Sequence, residues 1–357
     1  MTSVYTQAFG KRIWNRISIG ISLLILGVAA LTLSHLLREI ELGNVVAEIQ
    51  EKPFPILLTA ACLVAISYVV LTCYDLFALR TIGWETVPYR VAALAGFTAY
   101  TIGHNLGATV LTAGAIRLPI YSAWGLTLVD VSKIAFVTGL TFWLGNCFVL
   151  GAGLVFVPTA ASAIDHLPTR VNRIIGTSTL VLIAAYLCWL LPRPRVLGPS
   201  KIQIVLPNVR LTLVQIAIGV LDLSAATTVM YMLLPAQPDI NFLPFVVIFS
   251  TALLLGFLSH APGSLGVIEA AMLIGLPQFQ KEELLASLLI FRALYFMLPL
   301  SIAAILLGAR EISSLVKAAH RRRQPDRPPD RRLPIQFLRT DDCSAVSNKP
   351  TSRDRPI

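Results

Sequence analysis

Apolar residues in this chain fall in long blocks, not in the alternation of a half-buried strand or the single stripe of an amphipathic helix. Eight blocks stand out, at about 18–37, 56–79, 87–103, 134–157, 174–191, 211–234, 243–258 and 284–307. Each approaches the roughly 20 residues that an α-helix needs to cross a hydrocarbon core about 30 Å thick. The pattern predicts an all-α polytopic integral membrane protein with about eight long transmembrane helices. The first block follows Lys11, Arg12 and Arg16 and has the polarity of a signal peptide. It is too long for one and lacks a small-residue cleavage site, so it reads as a retained span.

Two stretches between the blocks, 104–133 and 259–283, are too interrupted for plain spans and too hydrophobic for solvated loops. The first opens on Thr101-Ile102-Gly103-His104-Asn105-Leu106-Gly107. The second opens on Ser259-His260-Ala261-Pro262-Gly263-Ser264-Leu265-Gly266-Val267-Ile268-Glu269. Non-helical backbone at membrane depth survives only where protein buries it or a wet cavity receives it. Paired breaks in a polytopic protein suggest a transport site. They are read here as broken or re-entrant helical segments.

Basic residues orient the spans, because they favour the cytoplasmic side. Lys11, Arg12 and Arg16 place the N-terminus inside, and the loop 38–55 with its four glutamates suits the outside. Arg193, Arg195, Lys201 and Arg210 want 192–210 inside, which eight spans alone do not allow. If each broken stretch adds a crossing, the conflict disappears and both termini are cytoplasmic. The halves would then form two inverted repeats, although Arg170 and Arg173 on the outside oppose this. Re-entrant loops that do not cross are the competing arrangement. A weak internal echo, His104 then Arg117 against His260 then Glu269, accords with two halves.

Composition agrees with a membrane protein: of 357 residues 55% are hydrophobic and 13% charged, with mean hydropathy +0.73. Soluble domains carry about 25% charged residues. Residues 310–357 supply +6 of the net +10. A basic tail can bind nucleic acid. Beside a last span it more simply marks the cytoplasmic face, so no nucleic-acid partner is expected. A membrane domain is predicted over 1–315 and a basic cytoplasmic tail over 316–357. The tail has no apolar period and is expected to be disordered. Cys62, Cys73, Cys147 and Cys188 lie in apolar blocks and Cys343 in the tail. This spacing supports neither a disulfide framework nor a metal site. Nothing resembles a Walker loop, a Ser/His/Asp set, HExxH or a dinucleotide fingerprint. No enzyme activity and no cofactor are therefore expected.

Charged groups inside the blocks are the candidate site residues, because they are costly in a bilayer. Asp222 lies near the centre of its block, with a helix-gluing role as probable as a functional one. Asp75 has a dull explanation in snorkelling or pairing with Arg80. Arg292 cannot easily lose its proton and must face a carboxylate, a cavity or a lipid phosphate. Glu269 is its natural partner. Arg117 is the sole cation in the heart of the first broken stretch, and its planar fork suits a phosphate. Lys133 and Asp130, three apart, read as a local pair. His104, Asn105 and His260 complete the polar set. Gly107, Gly263 and Gly266 permit tight turns, and Pro262 ends the preceding helix.

At these residues the chain resembles a known family. Tyr74-Asp75-Leu76-Phe77-Ala78-Leu79-Arg80, Tyr100 to Gly107, Arg117 to Leu126 and Ser259 to Glu269 are similar to the membrane region of the lysylphosphatidylglycerol synthetase/flippase family, the multiple peptide resistance factor proteins. The Pro-Gly-x-Leu-Gly-Val-x-Glu string is the most specific element, and the likeness covers about residues 10–315. It implies a bacterial inner-membrane protein that moves aminoacylated phosphatidylglycerol or a related phospholipid between leaflets. Such proteins lower the negative charge of the outer leaflet and so resist cationic peptides. By motif position Asp75, Arg117 and Glu269 correspond to charged membrane residues of the family, and Asp222 is a looser match. Ser264 stands where the family usually has a second glycine. No segment corresponds to the family's soluble aminoacyl-transfer domain, so the chain is not expected to make the aminoacyl lipid. The alternative expectation is a membrane scaffold or accessory subunit for a separate lipid-modifying enzyme or glycosyltransferase.

Overall fold

The computed structural model describes residues 52–106, 109–191, 195–197, 203–258 and 262–323, with the side chains of 109–111, 262 and 314–323 left aside. The span expected at 18–37, Gly107, His260 and the tail beyond Arg323 lie outside the described residues. Described residues up to Ser313 belong to one unit, and Ser314–Ile357 form a second, described only as helix to Arg323.

Local chemistry sets the helix boundaries. Helix α1 (Phe54–Thr81) has Pro55 in its first turn, where a missing N–H costs nothing. It stops at Gly83, whose φ of 86° lets the Trp84 N–H fold back to the Leu79 carbonyl. Helices α2 (Tyr89–Leu106) and α3 (Thr109–Ser122) occupy the first interrupted region. Helix α4 (Leu128–Phe156) starts on a capping box: Thr127 Oγ1 accepts the Asp130 N–H and Asp130 Oδ2 accepts the Thr127 N–H. That box advances the start by six residues from the expected 134, and it commits Asp130 to its own helix end instead of a pair with Lys133. Next come α5 (Pro158–Asp165) and α6 (Thr169–Leu190). A two-residue antiparallel ladder, β1 (Val196–Leu197) with β2 (Ile204–Val205), is the departure from an all-α chain among the described residues. Asn208 Oδ1 caps α7 (Val209–Leu233) by accepting the Leu211 N–H.

Helix α8 (Phe242–Leu258) precedes the second break, a 3-10 turn at Pro262–Ser264 followed by the short α9 (Val267–Gly275). Helix α10 (Lys281–Arg292) then runs through a π-helical turn (Ala293–Met297) into α11 (Leu298–Arg323). The π turn precedes Pro299, which has no N–H to give the Tyr295 carbonyl four residues earlier. Its widened backbone receives side chains from elsewhere: the Tyr68 hydroxyl donates to the Tyr295 carbonyl at 2.9 Å and Asn105 Nδ2 to the Phe296 carbonyl at 3.5 Å.

Five described helices are long and apolar enough to cross a membrane: α1, α4, α6, α7 and the continuous Lys281–Ser313. At ~1.5 Å per residue, α4 is about 43 Å long. Helix α8 is apolar but has 17 residues, and α2 is absent from the crossing set. The expectation of about eight long spans is thus not met among the described residues. Nor is the first break seen among the described residues up to Leu106. Residues 101–106, including His104 and Asn105, are helical, because Asn105 Nδ2 donates within its own helix to the Thr101 carbonyl at 2.7 Å. Large apolar side chains such as Leu58, Ile66, Phe156, Leu182, Leu221 and Ile305 face outward. Exposed apolar surface on this scale is unusual on a soluble monomer and suits a bilayer.

Helix α4 is central, touching α1, α3, α5, α6, α7 and α8. It crosses α7 where two glycines meet: a Cβ on Gly145 would lie 2.4 Å from the Gly219 Cα. Such small-residue contacts let backbones approach where no hydrophobic force drives helices together. Beside the crossing, Gln215 Nε2 donates to Thr141 Oγ1 at 2.9 Å. Gly219→Leu is expected to destabilise the bundle by at least the ~1–3 kcal/mol typical of overpacking. Gly139→Ala, where a Cβ meets nothing within 4 Å, leaves stability unchanged or raises it. Thermal unfolding in detergent measures both, and equal midpoints would refute the close crossing.

Candidate functional site

Three polar nodes lie inside the helical bundle, each assembled from different helices. In the first, Asp75 of α1 faces Arg117 of α3. Arg117 Nε donates to Asp75 Oδ2 at 2.9 Å, and Nη2 to Oδ1 at 2.6 Å. The Tyr121 hydroxyl adds a 2.7 Å bond to Oδ2. Both charged side chains are buried, and the Arg117 guanidinium lies 5.2 Å from the Tyr100 ring centroid. Helix α2 leaves room for this pair at Gly96, where a Cβ would approach the Asp75 Cβ and Cγ to 3.3 Å. The dull reading of Asp75 as a partner of Arg80 is therefore replaced. Arg117 is not free to receive a phosphate in this arrangement, since the Asp75 carboxylate fills its fork.

The second node binds the backbone break. Gly263, Ser264 and Gly266 have φ of 58°, 52° and 76°, a left-handed region that suits glycine and strains serine. The turn frees carbonyls, and Arg292 collects them: Nη1 donates to the Gly263 carbonyl at 3.0 Å and Nη2 to the Ser264 carbonyl at 3.3 Å. Arg292 Nε donates to Glu269 Oε1. Glu269 Oε2 in turn accepts the Gly266 N–H at 2.8 Å. The expected Glu269–Arg292 partnership is thus present, and it closes a loop of bonds around the turn that starts at Pro262. Glu269 is the more accessible partner, with 17% of its side chain exposed against 5% for Arg292.

The third node surrounds Asp222 on α7. Ser67 Oγ donates to Oδ1 at 3.0 Å and the Tyr74 hydroxyl to Oδ2 at 3.2 Å. The Tyr295 hydroxyl lies 2.8 Å from Ser67 Oγ. Among the described residues no cation pairs with Asp222. Beside it is a cavity of about 50 Å³ whose polar walls are His104, Asn146, Asp222, Ser264 and Tyr295. His104 sits between aromatic rings, 5.7 Å from Tyr100 and 5.4 Å from Phe257 by ring centroids.

The second break meets the end of α2. A Cβ on Gly263 would lie 3.7 Å from the Asn105 carbonyl oxygen and 3.8 Å from Arg292 Nη1. His104, Asp222 and Ser264 share one cavity, whereas Asp75 and Arg117 stand apart from it. The nodes are joined through aromatic rings, since Tyr74 packs edge-on against Tyr100 at 5.5 Å, beneath Arg117. Ser67, Tyr74, Tyr121, Asn146 and Tyr295 were not among the sequence candidates. Two polar pairs, Ser67-Tyr68 and Tyr74-Asp75, seven residues and so about two helical turns apart, are the signal that would have found the α1 members.

Removing one member of a buried ion pair costs about 3–5 kcal/mol, because the survivor is left uncompensated. Asp75→Leu and Arg117→Leu should each destabilise by that order, with the double variant far less destabilised than their sum. A double-mutant cycle on detergent unfolding midpoints reads the coupling, and strict additivity would mean that the pair contributes nothing.

Comparison with known proteins adds lineage to this geometry. No family model matches the chain. It is 31% identical over 299 residues to "Uncharacterized protein slr0712" of Synechocystis, covering 83% of this chain and 91% of that one. It is 30% identical over 255 residues to "Inner membrane protein YbhN" of Escherichia coli, covering 70% of this chain and 78% of the relative. A shorter likeness, 35% over 86 residues, links 24% of the chain to 10% of a "Phosphatidylglycerol lysyltransferase" of Staphylococcus epidermidis.

Proposed function

Because the chain belongs to the family of the inner membrane protein YbhN, we propose that it is a multi-pass inner-membrane phospholipid translocase with both termini cytoplasmic. Its cargo in this reading is phosphatidylglycerol, an aminoacylated form of it, or a related phospholipid. Similarity to a stretch of a phosphatidylglycerol lysyltransferase supports that substrate class. The observation that carries the proposal is the pair of buried arginine–carboxylate bridges, one attached directly to a break in the helical backbone.

An arginine fork accepts a phosphate in the geometry it uses for a carboxylate. A lipid phosphate can therefore take the place of Glu269 on Arg292 without leaving the guanidinium bare. The released carboxylate is then available to a cationic headgroup. Glu269 is the partially exposed end of its pair, so exchange begins there. Asp75 and Arg117, fully enclosed, would form the second station. Ligand pockets usually measure about 300–1,000 Å³, whereas the interior cavity has about 50 Å³. Headgroup passage in this reading therefore requires the helices around it to separate, where the second break touches the end of α2. No step transfers an acyl or phosphoryl group, so the proposed activity is transport and not catalysis.

The test is leaflet exchange of a fluorescent phosphatidylglycerol in proteoliposomes, read by dithionite quenching of the exposed label. Wild type should exceed protein-free vesicles, and Arg292→Lys and Glu269→Gln should each slow exchange by at least about tenfold, as loss of a charge-assisted fork implies. Cys62→Ser, on an exposed free cysteine of α1, should match wild type. Wild-type exchange no faster than in empty vesicles would overturn the proposal.

A further inference from the structure

We infer that Asp222 is a proton-binding site at the centre of the bundle, and that its protonation is coupled to separation of the second break from α2. The coupling half rests on the translocase reading; the site itself does not. Asp222 is one of three carboxylates on the interior nodes, and it differs from the others in its partners. Asp75 and Glu269 each hold an arginine. Asp222 holds two hydroxyl donors and, among the described residues, no positive group. A carboxylate placed in a low-dielectric interior without a counter-charge is costly. A proton is the smallest ligand that cancels the charge, and the 50 Å³ cavity suits nothing larger than a few waters.

The cavity supplies the second observation. Asn146 is 97% buried and is one of its walls, yet its Oδ1 has no hydrogen-bond partner, while Nδ2 is engaged by the Phe142 carbonyl. An acceptor kept unpaired beside a buried carboxylate is ready for a donor, either a protonated carboxyl or a water carrying the proton to it. The elements packed around Asp222 contribute Tyr68 and Tyr74 from α1, Tyr100 and His104 from α2, and Tyr295 from the π turn. Helices α4, α8 and α9 contribute Asn146, Phe257 and Ile268, which do not titrate. Arg117, Arg292 and Glu269 are committed to their own bonds. His104 is therefore the other nitrogen base on the cavity wall that could take up a proton.

Protonation acts on the packing through the bonds already present. The hydroxyl relay from Tyr295 through Ser67 to Asp222 ties the π turn to α1 and α7. Once Oδ1 or Oδ2 carries a proton, the Ser67 and Tyr74 hydroxyls lose an ionised acceptor, and their bonds to Asp222 weaken. The π turn follows directly on Arg292, so the weakening is delivered to the residue that holds the second break.

The test is carboxyl labelling of the full chain in lipid nanodiscs with dicyclohexylcarbodiimide, which attacks protonated carboxyls in apolar surroundings, located by peptide mass spectrometry. The proposal expects an adduct on Asp222 whose rate rises at least about fivefold between about pH 8 and about pH 5. Asp75, held by Arg117, should remain unlabelled. His104→Gln should keep the rise, which assigns it to Asp222. No adduct on Asp222 at any pH, or a rate that ignores pH, overturns the proton site. Protection by sodium chloride but not by choline chloride overturns it in favour of a sodium site. For the coupling half, Asp222→Asn should keep the wild-type unfolding midpoint and lose the pH dependence of leaflet exchange. Retention of that dependence overturns the coupling while leaving the translocase reading intact. Absence of exchange at every pH in wild type would instead remove that reading and leave the labelling result standing.

Discussion

An arginine inside a bilayer can neither shed its proton nor leave its donors empty. In this protein that constraint determines how non-helical backbone is tolerated. Arg292 meets it by binding the carbonyls of Gly263 and Ser264 together with Glu269, whose other oxygen holds the Gly266 N–H. The left-handed turn and the buried cation are thus each other's solution: the turn frees carbonyls and the guanidinium needs acceptors. Arg117 meets the same constraint with Asp75 and Tyr121, and so ties α3 to α1 across α2.

From these two anchors the interior follows. Asn105 at the end of α2 abuts Gly263, so the first interrupted region is pinned against the second. The π turn places the Tyr295 and Phe296 carbonyls where Tyr68 and Asn105 can donate to them. Tyr74 and Asp75, adjacent on α1, look in two directions, one to Asp222 and the other to Arg117. A movement that breaks either arginine bridge therefore disturbs bonds on α1, α2 and the π turn together. Polar networks of this kind are expensive when half-satisfied, which favours a few discrete arrangements over gradual deformation.

Long apolar blocks were legible because hydropathy alone decides them: α1 at Phe54–Thr81 and α7 at Val209–Leu233 start and end within about two residues of the expected 56–79 and 211–234, well inside normal boundary error. Helix α4 starts earlier because a polar capping box, not hydropathy, begins it. The Glu269–Arg292 bond was legible by elimination, since few charges lie in the second half's apolar region. Asp75–Arg117 was not, because its partners are 42 residues apart on different helices and Arg80 offered a nearer cation. Pro299 is the local signal of a disturbed turn around Tyr295, but the tertiary donors that complete the π turn are not legible in the sequence. The second break lies within the expected stretch, at Pro262–Ser264, whereas the helix runs through Leu106 where the first was expected to open, with Asn105 Nδ2 on the Thr101 carbonyl of the same helix.

The claim that Arg292 holds the break is tested most directly by amide hydrogen exchange over residues 262–269 in nanodiscs, comparing wild type with Arg292→Lys. Lysine keeps the charge but lacks the fork that reaches two carbonyls and a carboxylate together. The account predicts exchange in that segment faster by at least about tenfold, one lost charge-assisted bond being worth roughly 1.5–3 kcal/mol, with α4 unchanged. Equal protection of the segment in both proteins would contradict it.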